Sequence, residues 1–207
     1  MLKKQFFVCL IAVLGFLQLG IASAAVVSFS PSSQFVSLGD NASVDLRISG
    51  LGDEILTGFD LDVSFDDSIL SFQSFTFGTG LDLFGLGSLQ LVDDSLPGLV
   101  NVYEVSFDLD DELKLFQAND FILGTFNFGT LNYGTSPLNV AVGPLGVALS
   151  GELVFDPDLG FEFVSELEMK VQEGSISVVP VPAAIWLFGT GLIGLVGFSK
   201  RRKAISK

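Results

Sequence analysis

Phe59, Leu61, Val63 and Phe65 alternate with Asp60, Asp62, Ser64 and Asp66. Apolar and polar residues taking turns at period two put one set on each face of an extended strand. The pattern recurs. Tyr103, Val105, Phe107 and Leu109 alternate with Glu104, Ser106, Asp108 and Asp110, and Val44, Leu46 and Ile48 alternate with Ser43, Asp45 and Arg47. Further strand candidates are Val26–Phe29, Ser71–Phe77, Leu89–Val92, Phe121–Phe128, Leu138–Val142, Val147–Val154, Phe161–Val164, Leu167–Val171 and Ser175–Val178. No run of ten or more residues between these ends has a helical period, and Leu113–Asn119 allows one short turn at most. Many short strands separated by glycine and Asp-Asp turns predict an all-β antiparallel sandwich. The alternation points Phe59, Leu61, Val63 and Phe65 inward and Asp60, Asp62, Glu104, Asp108 and Asp110 outward. The Gly- and Leu-rich residues 78–99 read as a long connection, and their glycines lack the lysine and the strand-to-helix context of a phosphate loop.

The two ends follow a different logic. Lys3 and Lys4, an apolar stretch from Phe6 to Leu19, and the small residues Ala22-Ser23-Ala24 have the three-part form of a secretory signal peptide over residues 1–24, cleaved between Ala24 and Ala25. An uncleaved N-terminal anchor is the alternative. At the other end, Val179-Pro180-Val181-Pro182 breaks any helix or strand. An apolar run from Ala183 to Phe198 follows, then Lys200-Arg201-Arg202-Lys203. Sixteen residues of helix span roughly 24 Å at about 1.5 Å per residue. That is just adequate for a membrane once the basic heads snorkel. Residues 183–198 are therefore predicted to be one transmembrane helix, with residues 200–203 a stop that keeps the C-terminus cytoplasmic. The ends thus divide the chain into 1–24, a body of 25–178, and a tail of 179–207.

The body carries the acid. Its only basic residues are Arg47, Lys114 and Lys170, and all 24 acidic residues of the chain lie in it, a net charge of −21. Such a surface repels nucleic acid and anionic lipid. It favours cations, basic protein patches or neutral polysaccharide as partners. The body has no cysteine, so an exported domain of this size must hold itself by core packing alone.

The tail residues resemble a known family. Pro180-Val181-Pro182, then Ala183 to Leu192, then the basic cluster are similar to the PEP-CTERM sorting signal of Gram-negative bacteria. In that family an exosortase, a membrane-embedded cysteine protease, recognises the tail. Cleavage near the proline motif and delivery to the surface or extracellular matrix, often alongside exopolysaccharide, is what the resemblance implies. The name-giving glutamate is Val181 here. The body has its own resemblance. Gly58 to Phe72, Leu123 to Phe128 and Gly174 to Val178 are similar to strands of cohesin-like domains. That implies a jelly-roll sandwich of about nine strands. A bacterial sandwich of another family is the alternative. Cohesins of cellulosomes bind dockerins, but a shared fold does not carry over a partner.

The chemistry available is limited. The chain has no histidine and the body no cysteine, which removes Ser-His-Asp triads, Cys-His pairs and His- or Cys-built metal sites. The body also lacks tryptophan, the usual platform for sugars, so no catalytic residue is assigned and no enzyme is expected. No cofactor is expected either. Calcium is the one open question. Asp108, Asp110, Asp111 and Glu112, with Asp66-Asp67 and Asp156-Pro157-Asp158, place oxygen ligands in predicted turns, where acids also serve simply to start or end strands. The sequence thus points to a non-catalytic exported protein. It would use the Sec translocon and an exosortase-type peptidase, with a protein or polysaccharide matrix partner and no nucleic acid. It would pass through an inner-membrane intermediate to the cell surface or the extracellular matrix. The alternative is a permanently membrane-anchored protein-binding module facing the periplasm or exterior.

Overall fold

The computed structural model describes residues 24–156 and 161–180, with side chains outside 153–164. It contains thirteen strands and one short helix among the described residues. Five strands form the smaller sheet: β1 (Ala25–Ser30), β3 (Asn41–Ser49), β5 (Leu70–Phe77), β8 (Phe121–Thr130) and β12 (Met169–Gln172), in the order β12-β1-β3-β8-β5. The larger sheet runs β11 (Phe161–Glu166), β10 (Leu149–Asp156), β4 (Gly58–Ser64), β9 (Gly134–Val142), β13 (Gly174–Val179), β2 (Ser33–Ser37). It branches at β4. One edge of β4 meets β10 through Gly58 and Phe59 and then β9 through Leu61–Ser64. The other edge pairs along its whole length with β7 (Leu99–Ser106), which pairs in turn with β6 (Ser88–Leu96). Pairing is antiparallel except for β1 with β12 and β2 with β13.

The alternation read from the sequence builds the core. Phe59, Leu61 and Val63 of β4 face Val44, Leu46, Ile48, Phe126 and Phe128 of the smaller sheet, and all eight are fully buried. Phe65 is half-buried against Phe128, ring centroids 5.1 Å apart, because it lies just beyond the end of β4. Phe72, Phe75, Phe126 and Phe128 form an aromatic column between the sheets, with Phe75 and Phe126 4.5 Å apart.

Several expectations are corrected. In β7 the inward residues are Val100, Val102 and Glu104, while Phe107 and Leu109 are exposed. The phase is set by pairing: Val63, Leu61 and Phe59 stand opposite Val100, Val102 and Glu104. A one-residue difference in register turns every side chain over. Glu104 therefore points inward, and Asp60 and Asp108, expected outward, are also buried. Residues 78–99 are only half connection, since Ser88–Leu96 is a strand closing a hairpin on β7. The short turn expected at Leu113–Asn119 begins earlier, as helix α1 (Asp110–Phe116). Strand β2 has no counterpart among the strands predicted from sequence. The strand count exceeds that of the cohesin resemblance partly because two extended runs, 25–37 and 169–179, each cross from one sheet to the other.

Among the described residues no helix is long and apolar enough to cross a membrane. Residues 183–198, where that helix was expected, lie outside the described residues, as do Ala22, Val181, Pro182 and Lys200, Arg201, Arg202 and Lys203.

Candidate functional site

Two places combine geometry with chemistry: the C-terminal exit of the sandwich and the outer face of the larger sheet. The exit is built by β13. It sits between β9 and β2, pairing Val178 with Gly134 on one side and Val179 with Ser37 on the other. Gly174, Ile176 and Val178 are buried while their neighbours turn outward. Pro180 follows at once and is exposed. A proline has no N–H to extend a ladder, so the sheet ends at Val179, the first residue of the predicted sorting motif. Val179 and Pro180 therefore sit at the edge of a folded body. At the other end, Ala25 opens β1 and donates its N–H to the Glu168 carbonyl at 2.9 Å. Ala24 precedes it and is buried.

The outer face of β6, β7, β4 and β9 is organised by an amide. Asn101 Nδ2 donates to Asp60 Oδ1 at 2.8 Å and to Asp62 Oδ1 at 2.9 Å. The register puts Asn101 beside Asp62, and Tyr103 beside Asp60, on this face. The Leu145 N–H donates to Asp60 Oδ2 at 2.7 Å, and Gly143 N–H to the Asp60 carbonyl at 2.9 Å. The loop 143–148 is thereby folded over β4, leaving Asp60 only 2% exposed. Gly143 makes this approach possible, because a Cβ there would overlap the Asp60 carboxylate. Leu145, pinned above Asp60, is 67% exposed, and Leu91, opposite Tyr103, is 56% exposed. On the same face Asp62, Asp93, Leu96, Asn101 and Pro144 line a groove of about 200 Å³. The Ser95 hydroxyl and amide at the rim hold the Asp93 carboxyl below the usual carboxylate range. The result is apolar side chains standing among carboxylates, a surface suited to a partner with apolar and basic groups.

The acids named as calcium candidates do other work. Asp108 Oδ2 accepts from the Leu83 N–H at 2.7 Å. Glu112 Oε2 accepts from the Leu109 N–H at 3.2 Å, capping the helix whose first turn holds Asp110, Asp111 and Glu112. Carboxylates in a first turn are favoured by the helix dipole. Asp66 Oδ1 accepts from the amide and hydroxyl of Ser68 within its turn. Asp158 lies outside the described residues. Among the described residues no three acidic groups converge as a metal site would require.

Glu104 is buried inside the sandwich. Its Oε1 accepts from Ser88 Oγ at 2.6 Å and Gln90 Nε2 at 2.8 Å. Burial nonetheless pushes its carboxyl above the usual range. The two hydrogen bonds oppose the shift, and the charge on Asp82 adds to it. The partners Ser88, Gln90, Asn101 and Leu145 were not singled out from sequence. Only the Gly143-Pro144-Leu145-Gly146 punctuation marks the covering loop in advance.

The sandwich has the cohesin fold. The seventh ScaB type I cohesin of Pseudobacteroides cellulosolvens superposes with a TM-score of 0.59 at 13% identity, covering 76% of this chain and 94% of its own. The sixth cohesin of Acetivibrio cellulolyticus scaffoldin B, solved in complex with a Cel5 dockerin, gives 0.55 at 14% identity, with 76% and 100% covered. CaCohA2 of Clostridium acetobutylicum gives 0.53 at 20%, with 76% and 92% covered. At its C-terminus the chain carries a PEP-CTERM protein-sorting motif, matched over residues 178–203. No curated protein matches the sequence.

Proposed function

We propose that this chain is a non-catalytic exported protein of a Gram-negative envelope. A cohesin-type sandwich is its working module, and an exosortase-type peptidase sorts and processes its C-terminal tail. The observation that carries this reading is that the sorting motif starts within the last two residues of β13. The last strand is closed within the larger sheet at Val179, and the sorting motif spans 178–203. Cleavage beyond Pro180 would release a sandwich with every strand in place. In this reading the predicted signal peptide of residues 1–24 brings the chain to the Sec translocon, and the helix predicted over 183–198 holds it in the inner membrane until processing. The released body then resides at the surface or in the matrix.

The module's role is protein binding. The outer face of β6, β7, β4 and β9 supports this, with Leu91 and Leu145 exposed near a groove lined by Asp62 and Asp93. A partner with basic groups around an apolar anchor complements it. A second reading is a permanently anchored module, favoured by Val181 standing where the motif's glutamate is expected. The intact mass of the exported protein decides between them. Trp186 is the sole tryptophan, so processed material ends near Pro182 and shows no tryptophan emission. Extracellular protein that still emits as tryptophan would refute processing.

A further inference from the structure

The smaller sheet has its own unassigned groove. It lies beside β3 and β8, bordered by residues 78–83 and the end of α1, and is an open cleft of about 610 Å³. That falls within the roughly 300–1,000 Å³ typical of small-molecule pockets. Leu83, Phe116, Phe121 and Ile122 supply apolar walls and Thr79 a hydroxyl, while the Thr125 hydroxyl is donated to Asp45 Oδ1. That border is fixed by hydrogen bonds. Gly78 N–H donates to the Leu123 carbonyl at 2.8 Å, and Gln117 Nε2 to the Gly80 carbonyl at 3.1 Å. Gln117 Oε1 accepts from the Leu56 N–H at 2.8 Å. A Cβ on Gly78 would overlap the Ile122 carbonyl, and one on Gly80 would overlap the Phe121 ring. The close seating therefore depends on both glycines.

Arg47 is the one charged residue lining this groove. It is half-buried, directly opposite Ile122 in the sheet. Among the described residues its guanidinium has no ion-pair or hydrogen-bond partner, although the body around it holds 24 acids. The nearest acid on its own strand face is Asp45, whose Oδ1 accepts instead from Thr125 Oγ1 at 2.7 Å. In a body of net charge −21, a guanidinium that forms no ion pair among the described residues, with the neighbouring Asp45 carboxylate engaged by Thr125, complements an anionic head on an apolar body. A guanidinium fork suits a carboxylate in bidentate geometry. We propose that this groove binds a small carboxylic acid with an aromatic or aliphatic body, the carboxylate on Arg47 and the body against Leu83, Phe116, Phe121 and Ile122. The site is on the opposite sheet from the acidic face and is independent of how the tail is processed.

The test uses 3-phenylpropionate and its neutral amide as probes. Isothermal titration of the full chain in a zwitterionic detergent, with detergent alone as blank, is expected to show saturable binding of the acid. The amide should bind about tenfold more weakly or worse. Arg47→Gln should reduce the acid's affinity to that of the amide. Ile122→Glu places an internal carboxylate opposite Arg47 and should abolish acid binding even if Arg47→Gln fails to fold. Absence of saturable binding, equal affinity for acid and amide, or unchanged acid affinity in a folded Arg47→Gln or Ile122→Glu variant would each overturn the proposal.

Discussion

Asp60 and Asp62 are two residues apart on one face of one strand, yet truncating them should have very different effects. Asp60 is buried and accepts from Asn101 Nδ2 and the Leu145 N–H. Asp62 is only half-buried and accepts from Asn101 alone. Hydrogen bonds to a charged group are worth about 1.5–3 kcal/mol each. The Leu145 amide sits in an exposed loop and regains some water once released, so the lower part of that range applies. Asp60→Ala should therefore cost about 3 kcal/mol, and Asp62→Ala no more than about 1 kcal/mol. With a slope near 2 kcal/mol per molar urea, that is a midpoint shift of about 1.5 M against about 0.5 M or less. Urea unfolding of residues 25–180 measures both, at unchanged slope. Hydrogen exchange at Leu145 should accelerate in Asp60→Ala beyond the global loss, because its acceptor is gone. If the two alanine variants agree within about 0.5 kcal/mol, the folded-over loop does not exist and both carboxylates are ordinary surface groups.

Other outcomes follow from the same structure. Gly143→Ala should destabilise in the same direction as Asp60→Ala, because its Cβ meets the Asp60 carboxylate; their double mutant should be clearly less than additive in unfolding free energy. Glu104 binds its proton more tightly folded than unfolded, so its contribution is fully present below the ordinary carboxylate range and is lost as pH rises through the raised value. Glu104→Gln, whose Oε1 still accepts from Ser88 and Gln90, should melt above the parent at pH 7.5 and level with it near pH 3.5. Phe126→Ala, fully buried, should cost about 3–5 kcal/mol, and the half-buried Phe65→Ala distinctly less, by urea unfolding. The melting temperature should rise with salt, because screening relieves repulsion among the carboxylates. Calcium and magnesium titrated at fixed ionic strength should give equal, non-saturating shifts, whereas a saturable calcium midpoint would reinstate a site near Asp108–Glu112.

How much could be read in advance depends on how unambiguous each local pattern is. Strand β4 is readable because Phe59, Leu61 and Val63 sit in one phase and Asp60 and Asp62 in the other. Strand β7 is not. Val100 and Val102 lie in one phase and Tyr103 and Val105 in the other, so its own sequence supports either face. The register against β4 decides, and that is a long-range fact. Buried acids are hidden for the same reason. Glu104 is tolerated inside because Ser88 and Gln90 meet it across a hairpin, and Asp60 because a loop some 85 positions later folds over it. Strand β2 is missed because its partner is the far end of the body. The tail motif is legible because prolines, apolar length and basic charge each act locally.

The pairing of β1 with β12 and of β2 with β13 has a temporal consequence for a chain that crosses a membrane N-terminus first. Residues 25–37 emerge at the start, and their partners at 169–179 emerge last. Both sheets keep an unpaired edge until nearly the whole body is across. β13 also lies between β2 and β9, so β2 joins the larger sheet only through the final strand. Contacts this distant in sequence are slow to form and leave exposed strand edges meanwhile. The sandwich thus acts as a lock whose last tumbler is the strand directly ahead of Pro180. If the chain is exported N-terminus first, as proposed, a body arrested early could not close, and closure would coincide with arrival of the sorting motif.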